Sequence, residues 1–337
     1  MLVMNILVIK LGAIGDVIRT TSVLHGLREK YKGCKIGWVT KKESFDVLKY
    51  NGLIYNLHLL GSPVQNENYD LVISLDDDYE ACKLASKVGS KKIMGAYLDD
   101  KQRAYTQDSS QWFDMGLISR FGKRKADELK ARNKNTYQEI MYNILGLDYK
   151  KQEPALVLDR NSLEFGKNFA NKNKIKNSDL VIGINTGAGG RWEDKKLSVE
   201  KTAELIDKLN DKIKNAKLIL FGGPEEKERN GKIKRLIETK IIDAGCGNSL
   251  MEFASLVNLC NILVTSDSLA LHIGTALKKR IVAFFYVTSA AEIELYSRGI
   301  KIIGKGKDYC SYKPKCDYAP EWSIDEIVTA VRGLITK

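Results

Sequence analysis

Long apolar runs are missing from this chain. No stretch of its 337 residues approaches the roughly 20 consecutive apolar residues needed to span a bilayer, which leaves peripheral contact as the only expected membrane association. Proline is scarce, at five residues, and the low hydrophobicity of a disordered chain is also absent. Cysteine is too thinly spread for a disulfide framework: Cys34, Cys82, Cys246, Cys260, Cys310 and Cys316 are scattered, which fits a reducing compartment. Only Cys310 and Cys316 are close in sequence, and without neighbouring histidines they fall short of a structural zinc ligand set. The apolar segment Met4 to Ile9 lacks a basic leader and a small-residue cleavage site, and Lys10 and then Asp16 interrupt the apolar N-terminus. No signal peptide and a cytoplasmic location are therefore expected.

The composition that is present is large, basic and globular. Hydrophobic residues make up 44% and charged residues 28%, and the chain exceeds the size at which one core usually stops growing. The expected division is a domain over 1–165, a second over 166–320, and a last helix over 321–337 that packs back towards the first. The formal net charge of +12 favours anionic partners. Because the aromatics are dispersed and not interleaved with basic residues on a strand, nucleic acid is not the expected one.

Short apolar runs alternate with helical-period segments, the pattern of an α/β chain with parallel sheets covered by helices. Strands are expected at Ile6 to Ile9, Lys35 to Val39, Ile54 to Leu59, Leu71 to Leu75 and Lys92 to Gly95. A second series covers Val181 to Asn185, Lys217 to Phe221, Ile241 to Asp243, Ile262 to Thr265 and Ile281 to Phe285. Val17, Thr21, Leu24, Leu27 and Tyr31 form one buried stripe, which predicts a single helix ended by Gly33. This pattern implies two Rossmann-like halves. Asp99 to Asn135 is polar, poorly periodic and basic at Arg120, Lys123, Arg124, Lys125 and Lys130. It reads as a solvated excursion or as a clamp for an anionic acceptor.

Three strand ends carry candidate chemistry. The first strand runs into Lys10-Leu11-Gly12-Ala13-Ile14-Gly15-Asp16, a glycine loop that delivers a carboxylate to a helix N-terminus. This is the sheet edge where open α/β folds bind ligands, but the G-x-G-x-x-G dinucleotide spacing is absent. The second series opens similarly: Thr186-Gly187-Ala188-Gly189-Gly190-Arg191-Trp192 and then Lys195 form a small-residue loop suited to a phosphate. A Walker loop is not formed. Gly222-Gly223-Pro224-Glu225-Glu226 follows a strand and brings a carboxylate to where it could accept ribose hydroxyls or simply start an acidic helix, and Ser266-Asp267-Ser268-Leu269 leads into a helix that carries His272. The D-x-D within Asp76-Asp77-Asp78 stands after a strand and reads as an acidic helix start, so no metal or other cofactor is expected.

The segments Lys10 to Thr21, Asn185 to Leu205 and Thr265 to Leu277 resemble the signature blocks of glycosyltransferase family nine, the lipopolysaccharide heptosyltransferases. Leu269, Thr186 and Leu197-Ser198 depart from the family's usual glycine, proline and Trp-Pro. The resemblance implies a GT-B fold of two Rossmann-like domains facing across a cleft, and an inverting, metal-independent glycosyltransferase that moves heptose from an ADP-heptose-like donor to an anionic glycolipid or glycan. By that likeness Asp16 matches the general base. Thr186, Gly187, Ala188, Arg191, Lys195, Glu225, Asp267, Ser268, Leu269 and His272 fall to the donor; Gly15, Arg120, Lys123 and Arg124 are expected to meet the acceptor. A non-catalytic nucleotide-sugar-binding protein and a nucleotide-sugar epimerase remain open alternatives.

Overall fold

A computed structural model describes residues 3–64, 68–190 and 192–336. The chain divides into two compact units: residues 1–157 with 291–294, and residues 158–290 with 295–337. The boundary expected near 165 would fall inside a helix that belongs wholly to the second unit.

The first unit begins with β1 (Asn5–Ile9), α1 (Ile14–Thr20), α2 (Val23–Lys30), β2 (Lys35–Thr40), α3 (Lys42–Phe45) and β3 (Asn56–Leu59). It continues through β4 (Leu71–Ser74), α4 (Tyr79–Lys87), β5 (Ile93–Asp99), β6 (Gln102–Tyr105), α5 (Ser110–Phe113), α6 (Gly122–Arg132) and α7 (Tyr137–Ile144). Its sheet has the order β3-β2-β1-β4-β5-β6, parallel except for the β5–β6 pair. Ile6 to Ile9 are fully buried, because a central parallel strand is covered on both faces.

The single helix predicted over Val17 to Tyr31 is instead two. The Thr21 hydroxyl donates to the Ile18 carbonyl at 2.7 Å, and Ser22 Oγ donates to the Arg19 carbonyl at 2.9 Å. Thr21 Oγ1 also accepts the Ala155 N–H at 2.8 Å. These hydroxyls offer the backbone partners other than the helical ladder, and the helix restarts at Val23. The polar segment Asp99 to Asn135 is folded as well: it contains β6, α5 and α6.

The second unit contains α8 (Arg160–Lys172), β7 (Val181–Asn185), α9 (Val199–Lys212), β8 (Lys217–Phe221), α10 (Lys227–Leu236) and β9 (Ile242–Asp243). It then adds α11 (Leu250–Asn258), β10 (Ile262–Ser266), α12 (Leu269–Ala276), β11 (Arg280–Phe285), β12 (Gly299–Ile303) and α13 (Ile324–Ile335). The sheet order is β12-β11-β10-β7-β8-β9 and every pair is parallel. Counted from the other edge, this is the same winding as the first sheet, each reversing direction beside its first strand. The expected α/β class with two Rossmann-like halves is therefore observed.

Helix α13 starts where Ser323 Oγ accepts the Glu326 N–H at 3.2 Å. Its apolar face packs within the second unit. Ile324, Ile327, Val328, Val331 and Leu334 are buried in the second unit's own core, against α9 and strands β10 to β12.

Candidate active site

Open α/β sheets bind ligands where the winding reverses, outside the carboxyl ends of the strands. In the first unit that place lies between β1 and β4. Asp76, at the end of β4, accepts the backbone N–H groups of Leu11 and Gly12, both at 2.9 Å, and Lys10 Nζ lies 3.4 Å from the same oxygen. The Lys10 ammonium also donates to the Leu75 carbonyl at 2.9 Å. Burial acts to lower its pKa, but Asp76, Tyr137 and Asp16 outweigh burial and hold it above the ordinary value. The crevice is thus closed by a buried clamp. Asp78 caps α4 through the Glu80 N–H and pairs with Lys41 at 2.9 Å. Both ends of the D-x-D therefore have structural partners.

Asp16 stands in the first turn of α1 with its side chain 34% exposed. Arg19, one turn on, reaches its carboxylate at 2.8 Å. That guanidinium lies 3.9 Å from the Tyr137 ring centre and 5.9 Å from that of Trp112, and 4.0 Å from Glu292. The Glu292 carbonyl accepts the Tyr137 N–H at 2.9 Å. Asp16 is therefore reachable by solvent yet braced through a nearly buried arginine, which sequence reasoning missed because its partners are distant in the chain. Gly15 is buried within α1.

The second unit reverses between β7 and β10. Lys195 is buried in a short 3-10 turn and donates to Asp267 twice, to Oδ2 at 3.0 Å and to the carbonyl at 3.2 Å. Thr288 Oγ1 donates to the same carboxylate at 2.6 Å, and His272 Nε2 is 3.9 Å from its other oxygen. Burial alone would raise the Asp267 pKa. Lys195, His272 and the Thr288 hydroxyl outweigh it and bring the carboxyl down to about 2. Trp192 closes the group, its ring centre 5.9 Å from Lys195 Nζ.

The loop beside this cluster is built from inside. Asn185 Nδ2 donates to the Gly187 carbonyl at 2.8 Å and lies within 3.2 Å of Ser268 Oγ, which also bonds Thr265 Oγ1 at 3.0 Å. Ser268 is the N-cap residue of α12, yet its side chain does not cap that helix. The start of α12 thus has no N-cap side-chain bond, the arrangement that suits a bound anion, although the Leu271 N–H donates to the Ser268 carbonyl at 3.1 Å. Thr186 is turned inward, donating to the Phe221 carbonyl and reaching Asn230 at 2.6 Å. Arg191 lies outside the described residues. Ala188 and Leu269 are half-buried along the same edge, and Glu225 is exposed. Its neighbour Glu226 is the other carboxylate of that segment. It is buried behind Gly187, with Oε2 accepting the Gly223 N–H at 3.0 Å and Oε1 without a hydrogen-bond partner.

Of the remaining acceptor candidates, Arg120 is engaged by Tyr105, Asp114 and Gln107. Lys123 and Arg124 lie on the exposed face of α6. Cys310 and Cys316 are not joined in a disulfide, and among the described residues no three His, Cys, Asp or Glu side chains converge to hold a metal ion.

Three solved structures share this fold over nearly the whole chain. A glycosyl transferase family 9 protein from Veillonella parvula is 20% identical, with a TM-score of 0.78, covering 99% of this chain and 97% of its own. E. coli ADP-heptose lps heptosyltransferase II is 17% identical with a TM-score of 0.67, covering 99% of each chain. E. coli heptosyltransferase WaaC with ADP is also 17% identical, with a TM-score of 0.65, covering 98% of this chain and 100% of its own. No curated protein matches the sequence significantly. The model for "Glycosyltransferase family 9 (heptosyltransferase)" matches residues 58–319, a span that takes in the Lys195–Asp267 cluster and leaves Asp16 outside. With most of its length in that match and the GT-B type of fold in both sheets, the chain belongs to glycosyltransferase family 9 and is a glycosyltransferase.

Proposed function

We propose that the protein transfers a heptose from an ADP-heptose-like donor to a hydroxyl of a lipopolysaccharide core or similar anionic glycan, with inversion. The observation that carries this reading is the Lys195–Asp267–Thr288–His272 cluster beside an uncapped helix N-terminus. A leaving diphosphate is stabilised by a cation and by backbone amides, and this cluster holds Lys195, paired with Asp267, beside a helix start with no N-cap side-chain bond. Solved relatives named as heptosyltransferases, one of them with ADP, support the donor class.

In the proposed reaction the Asp16 carboxylate removes the acceptor hydroxyl proton as that oxygen bonds to the anomeric carbon. The bond from that carbon to the diphosphate oxygen breaks on the opposite side, and its electron pair leaves with the nucleoside diphosphate. One displacement inverts the configuration. Lys195 and the first amides of α12 take up the developing charge without assistance from a metal. Arg19 keeps Asp16 oriented. Glu225, exposed beside Gly190 of the loop, is the carboxylate open to a donor hydroxyl, while Glu226 is buried against Gly187.

The test is product analysis. Incubation with ADP-heptose and a truncated lipopolysaccharide core should give ADP and an acceptor one heptose heavier, equally well with a chelator present. Release of free heptose without acceptor modification, or epimerised donor, overturns the reading.

A further inference from the structure

The first unit presents an apolar tip inside a basic surface, and the proposed reaction does not use it. Leu117 and Phe121, in the turn between α5 and α6, are 81% and 55% exposed. Scattered apolar side chains on a surface are ordinary, but these two are held outward by a built support. Between them in sequence, Arg120 donates from its guanidinium to Gln107 Oε1 at 2.9 Å, Asp114 Oδ1 at 3.0 Å and the Tyr105 hydroxyl at 3.1 Å. Its backbone N–H reaches the same hydroxyl at 3.0 Å, and the Tyr105 ring stacks on buried Phe113. Arg120 is therefore a brace for the turn.

Charge surrounds the tip. Six basic side chains face two carboxylates between residues 120 and 132. Helix α6 is anchored through buried Ala126, and Arg124 is 96% exposed. Glu128 lies near Arg124 and Lys125, at 3.5 and 3.3 Å, and so offsets part of this charge. Two outward apolar side chains with lysines and arginines at their flank match the chemistry of a bilayer interface, where apolar groups enter the acyl boundary and cations meet headgroups.

We propose that Leu117 and Phe121 enter the interface of an anionic lipid bilayer while Lys123, Arg124 and Lys125 contact its headgroups. Docking would then combine a salt-sensitive attraction with a salt-insensitive one.

The experiment is co-sedimentation of the full chain with phosphatidylcholine vesicles with and without phosphatidylglycerol. The wild type should bind the anionic vesicles and keep part of that binding in high salt. Leu117→Ser with Phe121→Ser should lower partitioning at least about tenfold in both low and high salt. Lys123→Gln, Arg124→Gln and Lys125→Gln together should lower it on the order of a hundredfold at low salt. Each variant should melt as the wild type does, which separates loss of docking from loss of fold. Phe121→Trp should add a blue-shifted emission, quenched by brominated lipid, only with anionic vesicles. A serine pair that binds like wild type, a wild type that ignores anionic lipid, or a dimer abolished by the serine pair would each overturn the proposal.

Discussion

Asp16 and Asp267 are carboxylates with different neighbours, and the difference assigns them different tests. Asp16 is partly open to solvent, and Arg19 braces it. Asp16→Asn keeps the shape and removes the base, so turnover should fall at least about a hundredfold while ADP affinity stays close to wild type. Single-turnover assays alongside calorimetry check both halves. Asp267 is enclosed by Lys195, Thr288 and His272, with its pKa depressed from 3.8 to about 2. A depressed carboxyl stabilises the fold fully above its unfolded value and loses that contribution as pH falls through the folded one. The stability gap between wild type and Asp267→Asn should therefore shrink by on the order of 2 kcal/mol as pH drops from 3.8 towards about 2. Urea unfolding at stepped pH measures it, and a gap that stays constant would show that the ion pair does not act this way. The positions of Asp16, Lys195 and Asp267 at strand–loop–helix junctions were legible. Arg19 and Thr288 were not, since their contacts with Tyr137, Glu292 and Asp267 join residues that local spacing does not bring together.

At the scale of elements, central strands were readable and edges were not. β1, β7 and β8 are apolar runs buried on both faces, and their bounds fall close to those expected. β6 and β12 went unseen because an edge strand needs fewer apolar residues. β6 is half-exposed Gln102–Tyr105, and β12 buries only Ile302 fully. The helix break at Thr21 and Ser22 was hidden for another reason: hydrophobic spacing continued across it while side-chain hydroxyls redirected the backbone. The first switch point shows the same limit. Asp76, 65 residues after Leu11, ties β4 to the loop after β1. Asp76→Ala would strip two backbone N–H groups of their acceptor and leave Lys10 buried without its carboxylate. The expected loss is about 3 kcal/mol or more by chemical denaturation. A loss under about 1 kcal/mol would mean that water replaces the carboxylate.

For the whole molecule, the decisive feature is that two sheets of one winding end in different chemistry. Topology alone permits a nucleotide at either switch point. The first is filled, since Lys10 and Asp76 satisfy each other and Asp76 also occupies the Leu11 and Gly12 amides. The second keeps a small-residue loop, an uncapped helix start and a lysine whose partner sits at the edge. ADP should therefore bind the second unit, raise global stability by about 2.7 kcal/mol at a hundredfold excess over its Kd, and leave the first largely unaffected locally. Hydrogen exchange followed by mass spectrometry can separate the two. Added protection should appear over residues 185–196 and 265–276, with residues 9–20 unchanged. Protection centred on residues 9–20 would instead place the nucleotide at the clamp of Lys10 and Asp76 and remove Lys195 from the leaving-group role.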